Sequence, residues 1–295
     1  MDLARTKNIL ILIFVLLNIF LGAVLVKELR VMGITSETLQ NARLALKGRG
    51  VIVDCEIPDY DGSVGTLVYK KAGFDSKKLI QSIFEDEYGT DDPNGDDKIR
   101  IGNRQLNILD GYSFTYKASI QDSYISDLGT PGSIMDYLKN IFWDLDIPLI
   151  DYHIDTIVEN ADEKLYIYKQ RYKGFWVFEN YIAVKISSKE IDITCRHRAI
   201  DNISNDKKIM PVHQVLLKNS KVIRNIVVTK IKLGFKGYSP DGGSRETNGI
   251  PVWCIEIRGT QNGIVKYFNA YDGEEIHLDA NFADFDKNSE YTLCK

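Results

Sequence analysis

The side chains able to carry chemistry lie far apart in this chain. Its four histidines are His153, His197, His213 and His277. None stands at the spacing of an HExxH zinc helix, and no GxSxG elbow, phosphate loop or GxGxxG turn is present. Asp144/Asp146 and Glu274/Glu275 are close along the chain rather than set across a cleft, so acid–base catalysis has no support from them. The four cysteines, Cys55, Cys195, Cys254 and Cys294, make no CxxC pair and no Cys/His cluster at metal spacing. An even count permits disulfides outside the cell. Cys195 and Cys254 lie in apolar strand patterns and read as small core residues. Asp92, Asn94 and Asp96 alternate as in a calcium loop, but the glycine is misplaced and no glutamate closes the twelfth position, so residues 88–97 read as a solvated turn. Arg196-His197-Arg198 reads as a basic, solvated strand end. The expectation is a non-enzymatic chain with no catalytic residues, no cofactor and no metal site.

What could position any function begins at Ile9–Val26, ILILIFVLLNIFLGAVLV, which has no charge and one strongly polar residue, Asn18. As a helix this run would reach roughly 27 Å, near the hydrocarbon thickness of a bilayer. It has no polar face, unlike a surface helix of a soluble domain. A cleaved signal peptide has a shorter apolar region with small residues before the cut, and Leu21 spoils the best candidate. The run is therefore expected to span the membrane once. Basic residues flank it on both sides, so the positive-inside bias is weak. The short segment 1–8 is expected in the cytoplasm and the bulk of the chain outside the cell membrane. Asn18 and Gly22 are four apart and share a helix face. An amide in hydrocarbon seeks a partner and a glycine admits a second backbone, so this pair is the candidate contact with another transmembrane helix. A lone asparagine facing lipid is the alternative.

The opening Met1-Asp2-Leu3-Ala4-Arg5-Thr6-Lys7-Asn8-Ile9, continuing to Asn18-Ile19-Phe20-Leu21, resembles the start of the YycI family, with Leu3 where that family usually has tryptophan. Far from it, Pro251-Val-Trp253-Cys-Ile-Glu-Ile257 and Tyr267-Phe-Asn269-Ala270-Tyr271-Asp-Gly273-Glu274 are similar to the end of YycI and of PepSY-like modules. The resemblance implies a single-pass protein with an extracytoplasmic domain. With a YycH-like sister protein, such a chain tunes the sensor histidine kinase YycG (WalK) of a cell-wall two-component system. A PepSY-like inhibitor or chaperone of a peptidase or wall enzyme is the alternative.

Composition fits that frame. Apolar residues make up 44% and charged residues 26%, as in an ordinary globular protein. A net charge of −4 argues against nucleic acid as a partner and gives little attraction for anionic surfaces. The expected fold class is α+β, helices each followed by an antiparallel meander. The expected divisions are a tail 1–8, a membrane helix 9–26, a first module 27–130, a second module 131–280 and an acidic tail 281–295.

Helices are expected at Thr35–Lys47, Ser76–Glu87, Ser133–Asp146 and just after Pro211. In the third, Ile134, Tyr137, Leu138, Ile141, Phe142 and Leu145 form one apolar face, and Ser133 with Asp136 suits an N-cap pair. Strands are expected at 51–53, 66–69, 98–101, 112–118, 165–172, 175–186, 191–198, 226–235, 251–258 and 264–271. Tyr166, Tyr168 and Trp176 belong to an aromatic-rich hairpin. Alternation sets Tyr166 and Tyr168 opposite Leu165 and Ile167. If that face is exposed, these three form a protein-binding surface; otherwise they pack beneath a second layer.

Overall fold

The computed structural model describes residues 7–8, 10–21, 35–84, 98–119, 128–221, 225–237, 248–258 and 263–276. Helix α1 covers residues 10–21. Then come α2 (Ser36–Gly48), β1 (Val51–Val53), β2 (Ser63–Tyr69), α3 (Ser76–Phe84), β3 (Lys98–Ile101), β4 (Arg104–Asp110), β5 (Ser113–Ser119) and α4 (Pro131–Ile141). A 3-10 turn leads into β6 (Tyr152–Glu159), β7 (Glu163–Tyr172), β8 (Phe175–Ser187), β9 (Glu190–Arg196) and β10 (Ile200–Lys208). Helix α5 (Val212–Asn219), β11 (Ile226–Gly237), β12 (Gly249–Arg258), β13 (Gly263–Asn269) and β14 (Glu275–Ile276) complete the described chain.

The elements form two lobes of one continuous, mixed sheet. The first lobe runs β3-β4-β5-β9-β8-β7-β6, antiparallel throughout. Its core lies beneath α3 and α4: Leu79, Ile83 and Phe84 from one helix and Ile134 and Leu138 from the other meet Leu106, Phe114, Ile182 and Ile193. The second lobe runs β10-β2-β12-β11, with β1 added in parallel to β11 and β13 then β14 beyond β12. Its core joins Leu46 of α2 and Val215 and Leu216 of α5 to Leu67, Phe235, Trp253 and Phe268.

Local sequence explains these elements. Thr35 caps α2 by accepting from the Thr38 N–H, and Ala42 and Leu46, four apart, are its buried pair. Thr130 caps α4 in a reciprocal box with Ser133, and Pro131 opens the helix. Ser133 is therefore the third helical residue and not the cap, and Asp136 instead pairs with Lys139 at 2.7 Å. Lys173 (φ 49°) and Gly174 (φ 89°) make the two-residue turn between β7 and β8, both in the left-handed region such a tight hairpin requires.

Three times a helix is followed by an antiparallel run: α3 by β3–β5, α4 by β6–β9, α5 by β11–β14. The sheet nevertheless crosses the division expected at residue 130, because β5 pairs with β9 over Ser113–Ser119. The second lobe likewise combines β2 with β10 and β12. Strands β4, β6, β10 and the short β14 are absent from the sequence reading; β10, IDNISNDKK, is exposed at most positions and lacks apolar alternation. Residues 88–97, the far end of the helix expected to Glu87, Cys294 and the tail 281–295 lie outside the described residues.

Candidate functional site

The residues singled out from the sequence do not converge. Asn18 is exposed on α1, and its amide donates to the Phe14 carbonyl of the same helix at 2.8 Å. One of its donors is thus satisfied locally, and among the described residues this is its one side-chain hydrogen bond. Gly22 lies outside the described residues. Tyr166 and Tyr168 are buried, 3% and 2% exposed, and their hydroxyls donate to the carbonyls of Gly129 (3.2 Å) and Pro131 (2.9 Å). They pack under the entry of α4, so the condition for an exposed aromatic surface fails at these two positions. Trp176 is half-buried, with the Arg171 guanidinium 4.3 Å and the Lys232 ammonium 5.3 Å from its ring centre. Cys195 and Cys254 are buried as expected, and burial pushes both thiols up, Cys254 to about 11, leaving them unreactive.

Polar side chains converge instead where the lobes meet. Strand β8 serves both. Its start pairs in parallel with β11 at Trp176 and Val177, and its far half pairs with β9. Between them Phe178, Glu179 and Asn180 bulge out of register with β7, where Lys169 faces Tyr181 but Gln170 faces Val177. All three bulged residues are buried. Gly234 makes the crossing possible, since a Cβ there would sit 2.3 Å from the Trp176 carbonyl oxygen.

The Asn180 carboxamide then acts as a strand substitute. Its Oδ1 accepts from the Arg198 N–H (2.9 Å), and its Nδ2 donates to the Arg198 carbonyl (2.8 Å) and to Gln170 Oε1 (2.7 Å). The Arg198 guanidinium lies over Tyr69 of β2 at 4.2 Å and over Tyr112, ahead of β5, at 5.2 Å. One cation thus bridges an aromatic ring from each lobe. Arg196-His197-Arg198 is therefore not a solvated turn: His197 is 5% and Arg198 7% exposed. The sequence shows a charged run, but only the fold reveals that the chain re-crosses between lobes there.

His197 Nδ1 lies 2.8 Å from the Tyr152 hydroxyl, and its ring borders a cleft of about 170 Å³ shared with Phe74, Asp75, Lys78 and Asp146. Burial lowers its pKa from 6.5 to about 4, outweighing the Asp146 backbone, which pulls the other way. The folded protein therefore keeps His197 neutral at pH 7. Above pH 6.5 neither state binds the proton. Between pH 6.5 and about 4 only the unfolded chain binds it, so stability falls as pH falls, by about 3 kcal/mol in total. Urea unfolding at pH 7 and pH 4 should show this loss, and His197→Gln should lack that share of it.

A second cluster sits beside the bulge. The Asp155 carboxylate contacts Lys232, and Lys169 at 3.2 Å, while Lys232 also reaches Glu256 at 3.2 Å. The Asp155 and Lys232 side chains are 4% and 7% exposed. Burial opposes the Asp155 charge, but Lys169 and Lys232 overcome it and hold the carboxyl below its usual range. Burial and the neighbouring Lys232 together lower the Lys230 pKa. Neither arrangement presents a nucleophile with its base. Among the described residues no group of three or more histidines, cysteines and carboxylates is placed to hold a metal ion.

A family model described as YycI protein matches residues 31–271. No curated protein matches the chain. Two solved structures show partial likeness at 12% identity. An uncharacterized protein from Eubacterium rectale ATCC 33656 has a TM-score of 0.41, covering 82% of this chain and 99% of that one. The Bacillus megaterium YpeB C-terminal domain has a TM-score of 0.36, covering 69% and 95%.

Proposed function

The chain belongs to the YycI family, and from that premise we propose that it is a membrane-anchored, non-enzymatic regulator of a YycG/WalK-type sensor histidine kinase, acting with a YycH-like sister protein. The observation that carries this reading is the extent of the family match, residues 31–271, which takes in elements of both lobes from α2 to β13. The lobes are the extracytoplasmic, partner-binding part, and the apolar run 9–26 is the tether. In support, α1 leaves its large apolar side chains uncovered, from Leu10 at 69% exposed to Phe20 at 66%, and a long stripe of that kind calls for an apolar environment. Among the described residues no helix is long and apolar enough to cross a membrane; the tether's remaining residues lie outside them.

The regulation is a population shift. Contacts of the Asn18/Gly22 face favour one signalling state of the kinase, by no more than their differential binding energy. Interhelical hydrogen bonds of this type are worth ~0.6–2 kcal/mol, a factor of about 3–30 in that equilibrium. The test is Asn18→Leu with Gly22→Leu in the full chain, read by kinase-dependent reporter output and by co-purification with the kinase. Co-purification should fall and reporter output should change at unchanged protein level; no change in either would remove the helix-contact mechanism. Residues 27–295 retaining full effect without the helix would favour the PepSY-like inhibitor or chaperone instead.

A further inference from the structure

We propose that a groove at the β3–β5 corner of the first lobe binds an extended, phosphate-bearing polyanion. A net charge of −4 conceals a local excess of the opposite sign. Arg100, Gln105, Lys117 and Asp192 face one another in register across β3, β4, β5 and β9. Their neighbours along each strand, Ile99, Leu106, Tyr116 and Ile193, point the other way, into the core beneath α3 and α4. The Arg100 row therefore lies on the face opposite α3 and α4.

Together with the β8–β9 turn this row borders an open groove of about 540 Å³, a size typical of ligand sites. Among the described residues three cations line it, Arg100, Lys117 and Lys189, against one carboxylate, Glu190. Lys117 is already paired with Asp192 at 2.9 Å. Arg100 and Lys189 are exposed, with no ion pair among the described residues.

The rest of the lining decides the ligand class. Gln105, Ser119 and Ser188 supply neutral hydrogen-bonding groups, and among the described residues no aromatic side chain lines the groove. Arg, Lys, Ser and Gln are the side chains that contact phosphate oxygens. Nucleic-acid bases and apolar peptide side chains would find neither stacking platform nor pocket. A concave, hydrophilic, cationic strip fits a flexible phosphate polymer.

The test titrates medium-chain polyphosphate into the full-length protein in neutral detergent, with inorganic phosphate and phosphatidylglycerol vesicles as separate arms. The proposal expects polyphosphate to bind more tightly than inorganic phosphate at equal phosphate concentration. Two to three phosphate contacts give a log–log salt slope of about −1.5 to −2. Arg100→Glu with Lys189→Glu should weaken binding about tenfold or more, while Lys47→Glu with Lys77→Glu, the same charge change elsewhere, should leave it within about twofold. Thermal unfolding of both variants checks that they are folded. Absence of polyphosphate binding, equal loss in the two double variants, or binding to vesicles alone would overturn it.

Discussion

Lys232→Met is expected to cost about 3–5 kcal/mol of folding stability, a large share of what a domain of this kind possesses. The Asp155 carboxylate is 4% exposed and relies on Lys232 and Lys169 for its charge. Methionine fills much of the same space but supplies no cation, so a buried charge loses one of its two partners. Lys169 remains at 3.2 Å and holds the loss toward the lower end. Asp155→Leu with Lys232→Met should recover most of it, because an apolar pair has no uncompensated charge to solvate. The pH dependence identifies the cause. In the native protein the Asp155 pKa is held below its ordinary 3.8, so its contribution is present above that value and fades as pH falls through the lowered one. In Lys232→Met the carboxyl shifts upward, and protonation relieves the buried charge earlier. The difference between native and variant urea midpoints should therefore shrink as pH falls from 7 toward 4. A difference independent of pH would assign the loss to packing.

How much of this arrangement was legible in the sequence depends on where each element gets its stability. Strands of the first lobe show through because their two faces differ in residue type: Ile182, Val184 and Ile186 alternate with the small, buried Ala183 and with Lys185, and Ile191, Ile193 and Cys195 with the part-exposed Asp192 and Thr194. The apolar stripe of α4 from Ile134 to Leu138 and Ile141 is equally direct, and its buried residues are those positions. Strand β10 is the opposite case. Its ladder to Tyr69 and Leu67 in β2 supplies what its own side chains do not, and no local pattern records that partnership. Tyr166 and Tyr168 show why alternation gives a face but not its cover. They do point opposite Leu165, yet what lies over them is the chain at Gly129–Pro131, about 37 residues upstream. The His197–Arg198 junction was illegible for the same reason. Its neighbours Tyr69, Tyr112 and Tyr152 come from three separate strands or their ends, and charge in a sequence reads as solvation unless those neighbours are known.

The lobes are interleaved along the chain. Among the described residues, 35–70 start the second lobe, 74–196 build the first except that Tyr172, Phe175 and Val177 pack into the second, and 200–276 return to finish the second. The two crossings are tied together: the Lys70 N–H donates to the Ala199 carbonyl at 2.8 Å, and the His197 N–H to the Tyr112 carbonyl at 2.9 Å. The apolar run 9–26, proposed above as a tether, precedes α2 in sequence, and α2 packs into the second lobe. A load on the first lobe therefore reaches α2 through these crossings, the Asn180 clamp and the β8–β11 ladder. In a proposed regulator this matters, because lobes that moved independently would transmit less of a partner's binding energy toward the helix.

Trp253→Ala tests that coupling at full scale. Trp253 is wholly buried on β12, in register between Leu233 of β11 and Phe268 of β13, and its indole N–H donates to the Met210 carbonyl at 2.8 Å. Removing it opens a cavity at the centre of the second lobe and strands that carbonyl, for an expected loss of about 3–5 kcal/mol. Trp253→Phe keeps most of the ring contact and loses the donor, so about 1–3 kcal/mol is expected. The two remaining tryptophans then report from two places, Trp143 from the first lobe and Trp176 from the junction, where it packs against the cluster that holds Val252 and Cys254. If the clamp and the paired crossings make the lobes one cooperative unit, tryptophan fluorescence and far-ultraviolet circular dichroism of Trp253→Ala should move together to a lower denaturant midpoint. A fluorescence transition left at the native midpoint while the dichroism splits in two would mean the first lobe stands alone. The junction would then be a hinge, and the route from the first lobe to the tether would be broken at Asn180.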